Sequence, residues 1–308
     1  MRNDHQQTSN PHPLYRDVTD KIVAELEAGI VPWVQPWGAG DTDAALGLPR
    51  NARTHRTYSG INILLLWDAV IKGGYAAQSW LTFKQALELG GCVRKGERGW
   101  AVCFADSFVP KSEKERAQQN GGDPQSIPFL KRYTVFNVAQ CDGLPDHVLP
   151  RVPQVSDREI IPRAEALIAA TGASFQIGGE IACYVPKLDA IRVPHQTAFG
   201  NQINYYRTAF HELGHWTGHA SRLARDLTTK FASNGYAREE LVAEMATAFV
   251  CATLGIVPTV RHADYIGNWL QVLKEDARAI FKAASLASKA ADCILAFEQK
   301  TIDAEAAA

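Results

Sequence analysis

One short stretch limits what this chain can become: HELGHWTGH, from His211 to His219, where two histidines stand four apart and an acid follows the first. In an α-helix, residues four apart share a face, so His211 and His215 present their rings to one point and Glu212 lies beside them. The stretch is therefore read as part of a helix, Gln202 to His219. Before it, ASFQIGG and IACYV read as strands and PKLD as a turn into AIRVP, which places strands directly ahead of the helix. After it comes a second helix, Ala237 to Leu254, that opens with the acidic run EELVAE.

HExxH is the arrangement zinc hydrolases use. Two neutral imidazoles and a third protein ligand leave one position for water, whose pKa falls to about 7, and the glutamate takes its proton. Glu212 is the candidate base. Three residues compete to complete the site. His219 lies eight residues past His211, which is about 12 Å along a straight helix axis, so it reaches the same ion only if the helix breaks at Gly218. The metzincin pattern HExxHxxGxxH has its glycine at Gly218, but its third histidine falls on Ser221, so that pattern fails. Glu240 and Glu244 are four apart and share a face; one can bind the ion while the other supports a ligand histidine. The pair resembles the second helix of gluzincin peptidases, and on that pattern Glu240 is the ligand and Glu244 its partner, with the reverse order open. Zinc or another divalent first-row ion such as manganese suits this donor set. Tyr236, Tyr184, His262 and Tyr265 are within sequence reach of a developing oxyanion, although packing or capping is the commoner use of such side chains.

A chain of 308 residues is long for one domain and comfortable for two, each with a core of its own. The best boundary is Gly143 to Asp157, a short polar stretch with three prolines. The expected architecture is α+β in two domains: residues 1–145, beginning with a loose tail at 1–14; a linker at 146–157; and a mainly helical domain with a small β-sheet at 158–308. No apolar run approaches the roughly 20 residues of a spanning helix, and the N-terminus lacks a signal-peptide pattern. Six scattered cysteines without a CxxC pair read as reduced core thiols, which favours the cytoplasm.

In the first half, the spacing of Val18, Ile22, Leu26 and Ile30 predicts a helix capped by Asp17 or Thr19 and stopped at Pro32. Further helices are expected at Ile61–Lys72 and Phe83–Leu89, and strands at Trp100–Val109 and Tyr133–Val138, separated by the charged KSEKERAQQNGGDPQS. In the second half, Arg158–Ala170 reads as a helix, Ala263–Phe297 as one broken helix or two, and the terminal DAEAAA as tail.

The formal net charge is −1, so any affinity for nucleic acid has to come from a local patch. From Pro49 to Trp100, eight Lys or Arg face three acids, and five of the seven tryptophans fall in the first hundred residues. Cations interleaved with aromatics suit single-stranded nucleic acid: the cations follow the phosphates and the rings stack on bases. The candidate residues are Arg50, Arg53, Arg56, Tyr58, Lys84, Arg94, Lys95, Arg98 and Trp100, while Trp33, Trp67 and Trp80 are assigned to the core.

Several of these segments resemble a known family. LYRDVTDKIVAELEAGIVPWVQPW, LPRNARTHRTYSGINILLLW, WLTFKQALELGGCVRKGERG and YTVFNVAQCDGLP are similar to the N-terminal domain shared by ArdC-type antirestriction proteins and TraC-type conjugative primases. YYRTAFHELGHWTGHASRLAR with YAREELVAEMATAF resembles the zincin-like domain that follows it in ArdC. The resemblance implies non-specific binding of single-stranded DNA and protection of incoming plasmid DNA from host restriction during conjugation. It also implies a metallopeptidase-like fold, and leaves open whether a host protein or peptide is cut.

Overall fold

The computed structural model describes residues 12–34, 46–113, 116, 123, 126–149, 157–228, 233–259 and 265–306. Trp37, His262, residues 150–156 of the expected linker and most of Lys111 to Ser126 lie outside the described residues.

Helix α1 (Pro13–Glu27) starts a turn earlier than its apolar spacing suggests. Proline at the first helical position presets φ, and the His12 ring accepts from the Leu14 N–H. Thr19 caps nothing; its hydroxyl donates to the Ala277 carbonyl at 2.7 Å. The helix ends at Glu27 because Gly29 turns left-handed (φ 77°), so Pro32 is not the stop and Ile30 lies exposed beyond the helix.

Helix α2 (Ile61–Gly73) and α3 (Phe83–Glu88) lie among short strands; Thr82 and Gln85 form a capping box at the start of α3. β1 (Arg50–Asn51), β2 (Ser79–Leu81), β4 (Trp100–Phe108) and β5 (Ile127–Asn137) form a sheet in the order β1-β2-β5-β4. β3 (Cys92–Val93) and β6 (Cys141–Asp142) pair separately. The two expected strands pair as an antiparallel hairpin, but β5 begins six residues before Tyr133. Its register runs from Trp100 opposite Val135 to Phe108 opposite Ile127, an arm of nine residue pairs.

In the second half, α4 (Asp157–Ala170) precedes β7 (Ser174–Ile177), β8 (Cys183–Val185) and β9 (Ala190–Val193). β9 is central, parallel to β7 and antiparallel to β8. Helices α5 (Ile203–Trp216), α6 (Asn234–Leu254), α7 (Ile266–Glu275) and α8 (Ala279–Ala306) complete the chain. The long C-terminal stretch is thus two helices, parted where Asp276 takes an extended backbone and its side chain accepts from the Arg278 N–H. α8 also covers residues 303–306 of the supposed tail.

The two domains do not keep separate cores. Helix α2 is apolar almost all round and needs cover on more than one side. β4 supplies one side and α8 another. Its Trp67, 0% exposed, meets Phe249 of α6 edge-on at 5.7 Å, and Trp33 meets Trp269 at 5.3 Å. Tyr15 lies against Phe281, and the Gly60 N–H donates to the Ser288 hydroxyl at 2.8 Å. Trp33, Trp67 and Trp80 are all core residues, as expected. The cysteines are all free, but Cys103 and Cys251 alone are buried and Cys92 is exposed, so the expectation of core thiols holds for two of the six. No described helix is long and apolar enough to cross a membrane.

Candidate metal centre

Helices α5 and α6 face each other across a close contact made possible by Gly214. A Cβ added there would lie 3.3 Å from the Ala243 Cα and 3.4 Å from its carbonyl oxygen. This proximity brings the HELGH face onto the EELVAE face. One ligand atom each from His211, His215 and Glu240 lie within 4.8 Å of one another. Nε2 of His211 is 3.4 Å from one Glu240 oxygen and Nε2 of His215 is 3.5 Å from the other.

The opposite nitrogen of each ring faces a different acid. Nδ1 of His215 lies 3.2 Å from Glu239 and Nδ1 of His211 lies 3.8 Å from Glu244. Arg225 donates to both oxygens of Glu239 and also to the Thr217 hydroxyl and the Gly214 carbonyl, tying the loop after α5 to α6. The His211, Glu240 and Glu244 side chains are almost fully buried. Burial alone would push the Glu240 carboxyl up, but the His211 and His215 rings outweigh it and hold it far below the usual carboxylate range. Burial acts on His215 in the other direction, and the Glu239 and Glu240 carboxylates override it, raising the ring to about 10. Two imidazoles and a carboxylate converging on one point suit a divalent cation, which would meet the charge these acids concentrate.

A cavity of about 200 Å³ opens onto this cluster, lined among others by Cys183 and Tyr184 of β8, Glu212, Leu227 and Tyr236. Glu212 is 97% buried in its wall, so the proposed base, both histidines and Glu240 line one space. His219 is not part of it. α5 ends at Trp216, and the His219 Nδ1 is engaged with Ser221. Tyr184 donates to Asp189 at 2.8 Å, and Arg222 holds the same carboxylate. Burial, with Glu240 and Tyr265 next to it, pushes the Tyr236 hydroxyl strongly up, which keeps it protonated.

In the first half, Asn51 accepts from the Arg53 and Thr54 N–H groups, shaping a turn that leaves Arg50, Arg53 and Arg56 exposed. The turn leans on α3 through Asn51–Gln85, while Arg53 at 2.7 Å and Lys84 at 3.7 Å share Glu88. Lys95 and Arg98 are exposed in a second loop. The Arg94 guanidinium is engaged by Glu97, Asp142 and the Ala139 carbonyl. Tyr58 is half-buried and Trp100 donates its N–H to the Tyr75 hydroxyl. Tyr58 and Trp100 back the basic loops, while Arg94 is exposed but tied to its acidic neighbours.

Residues 12–136 match the N-terminal domain of anti-restriction factor ArdC, and residues 162–286 match a zincin-like metallopeptidase domain. The metal-free crystal structure of antirestriction protein ArdC from plasmid R388 is 39% identical and superposes with a TM-score of 0.77 over 94% of this chain and 99% of that one. The chain belongs to the ArdC family of antirestriction proteins. The Mn(II)-bound structure of the R388 ArdC protein is also 39% identical, with a TM-score of 0.75 over 92% of this chain and 97% of the other. Two DNA primases named TraC from Escherichia coli are 39% identical over 94% of the chain, which spans 28% of the length of one and 20% of the other. An uncharacterized protein of Sinorhizobium fredii, y4eC, is 39% identical over 92% of this chain and 91% of its own length. In this ArdC-family chain, Glu239 and Arg225 are the site residues that motif reading passed over. Glu239 was visible as half of a Glu-Glu pair, but helical spacing assigns the shared face to Glu240 and Glu244 and says nothing of its neighbour.

Proposed function

We propose that this protein acts in the cytoplasm to shield incoming plasmid DNA from host restriction during conjugation by binding single strands through its N-terminal half. The observation that supports this reading most is the match to R388 ArdC over 94% of this chain and 99% of that one. The exposed cations Arg50, Arg53, Arg56, Lys84, Lys95 and Arg98 supply the local positive patch that a chain of net charge −1 needs. Mobility shifts on single-stranded DNA at rising salt test it. Binding should weaken steeply with salt, and no binding at low salt would remove the reading.

For the second half we propose that His211, His215 and Glu240 hold a divalent ion, with Glu239 and Glu244 orienting the two rings and Glu212 as general base. Zinc and manganese both suit this donor set, and the Mn(II)-bound relative supports a divalent ion without selecting zinc. Bound there, the ion would supply Lewis-acid polarisation. Metal content of the purified protein and of His215→Ala tests the ligand set; equal content would reject it.

Cleavage of a host protein or peptide is a second reading, and one observation favours it. β8 is an edge strand whose Cys183 and Tyr184 line the same cavity as Glu212. In vivo protection by Glu212→Ala separates the two: it is retained if masking of DNA suffices and lost if cleavage is needed.

A further inference from the structure

The outer part of the β4–β5 arm carries an aromatic cluster that neither the metal centre nor the basic loops use. The register places Phe104 and Asp106 of β4 on one face with Phe129, Lys131 and Tyr133 of β5. Phe104 is 6.3 Å from Phe129 and 5.9 Å from Tyr133, centroid to centroid, and the Lys131 ammonium stands 4.8 Å over the Phe129 ring. Phe104 and Tyr133 are each 46% exposed, whereas Cys103 and Leu130 on the reverse face are buried. Arg132, also on the reverse face, lines a cavity of about 240 Å³ with Leu14, Asp17, Lys21 and Trp100.

Contiguous rings on an outward strand face, two of them exposed and Phe129 half-buried, mark a contact surface. Phe104 meets Tyr133 edge to face and Phe129 at a tilt, an ammonium stands over the Phe129 ring, and Asp106 is the one acid among the face's described residues. An ammonium beside partly exposed aromatic rings matches a polyanion that has flat apolar bases. From Phe129 to Tyr133 the strand advances about 13 Å, the length of about four nucleotides at the rise of a stacked strand.

We infer that Phe104, Phe129 and Tyr133 form a base-stacking platform for single-stranded nucleic acid, with Lys131 beside it to meet the phosphates. The inference rests on the single-strand binding proposed above and assigns it a site outside the basic loops.

The test is fluorescence anisotropy of the full chain with a short labelled oligothymidylate, and with the same backbone carrying abasic sugars. Phe104→Leu and Tyr133→Leu keep apolar bulk but lose the ring, and each should weaken binding about 5- to 150-fold, while Tyr133→Phe binds like wild type. The abasic strand should bind wild type more weakly and be insensitive to the leucine variants. If wild type binds oligothymidylate and the leucine variants bind equally well, or if wild type binds the abasic strand as tightly, the platform is wrong and single-strand binding stands. If wild type binds neither strand, both are wrong.

Discussion

Glu239 and His215 meet at 3.2 Å, carboxylate oxygen to Nδ1, and this contact turns the other ring nitrogen of His215 toward Glu240. Arg225 holds the carboxylate from behind at 2.8 and 3.0 Å. Orientation of the proposed ligand histidine is therefore assigned to a residue outside the proposed ligand set.

Glu239→Ala should lower affinity for Zn2+ or Mn2+ by roughly 10- to 100-fold and leave the fold intact, because partners of this kind set tautomer and ring direction. Competition against a chromophoric chelator reads the affinity, and circular dichroism reads the fold. An unchanged affinity would remove Glu239 from the site.

Proton competition should be visible at the same ring. Without metal, His215 titrates at about 10 and is protonated at neutral pH, whereas a ligand imidazole is neutral. Binding must expel that proton, so affinity rises with pH between 6 and 8 and falls as pH drops. Calorimetry in two buffers of different ionisation enthalpy should show about one proton released per ion.

Gly214→Ala should destabilise the protein by about 1–3 kcal/mol despite alanine's better helix propensity. The new methyl would lie 3.3 Å from the Ala243 backbone, and α6 cannot retreat without carrying Glu240 and Glu244 away from the histidines. Urea unfolding measures the loss, and metal affinity should fall with it. A variant as stable as wild type would show that the helices have room to part.

Trp67→Ala should cost about 3–5 kcal/mol, since it empties a fully buried site where α2 meets α6. The shared core also predicts one unfolding transition for both domains. Far-ultraviolet dichroism and tryptophan fluorescence should give coincident curves, and two separated transitions would show independent cores.

The proposed metal site was largely legible before folding because a helix converts spacing into direction. Residues four apart must share a face, which nominates His211 with His215 and Glu240 with Glu244 from the sequence alone. Glu239 falls outside that rule. It is adjacent to Glu240 and so points about 100° round the helix, and its use depends on Arg225 arriving from a loop. The β4–β5 arm shows the same limit. IPFLKR has no strict alternation, and residues 127–132 become strand by pairing with β4, which places Phe129 and Lys131 beside Phe104.

Local pattern therefore specifies the helices, the two histidines, the acidic pair and the basic loops, since each depends on residues within a turn or two of one another. Packing specifies the rest: which carboxylate meets which ring nitrogen, how closely Gly214 lets two helices approach, and that Trp33 and Trp67 join two domains in one core. Those relationships link residues tens to hundreds of positions apart, and no short-range periodicity encodes a contact made only once the chain has collapsed.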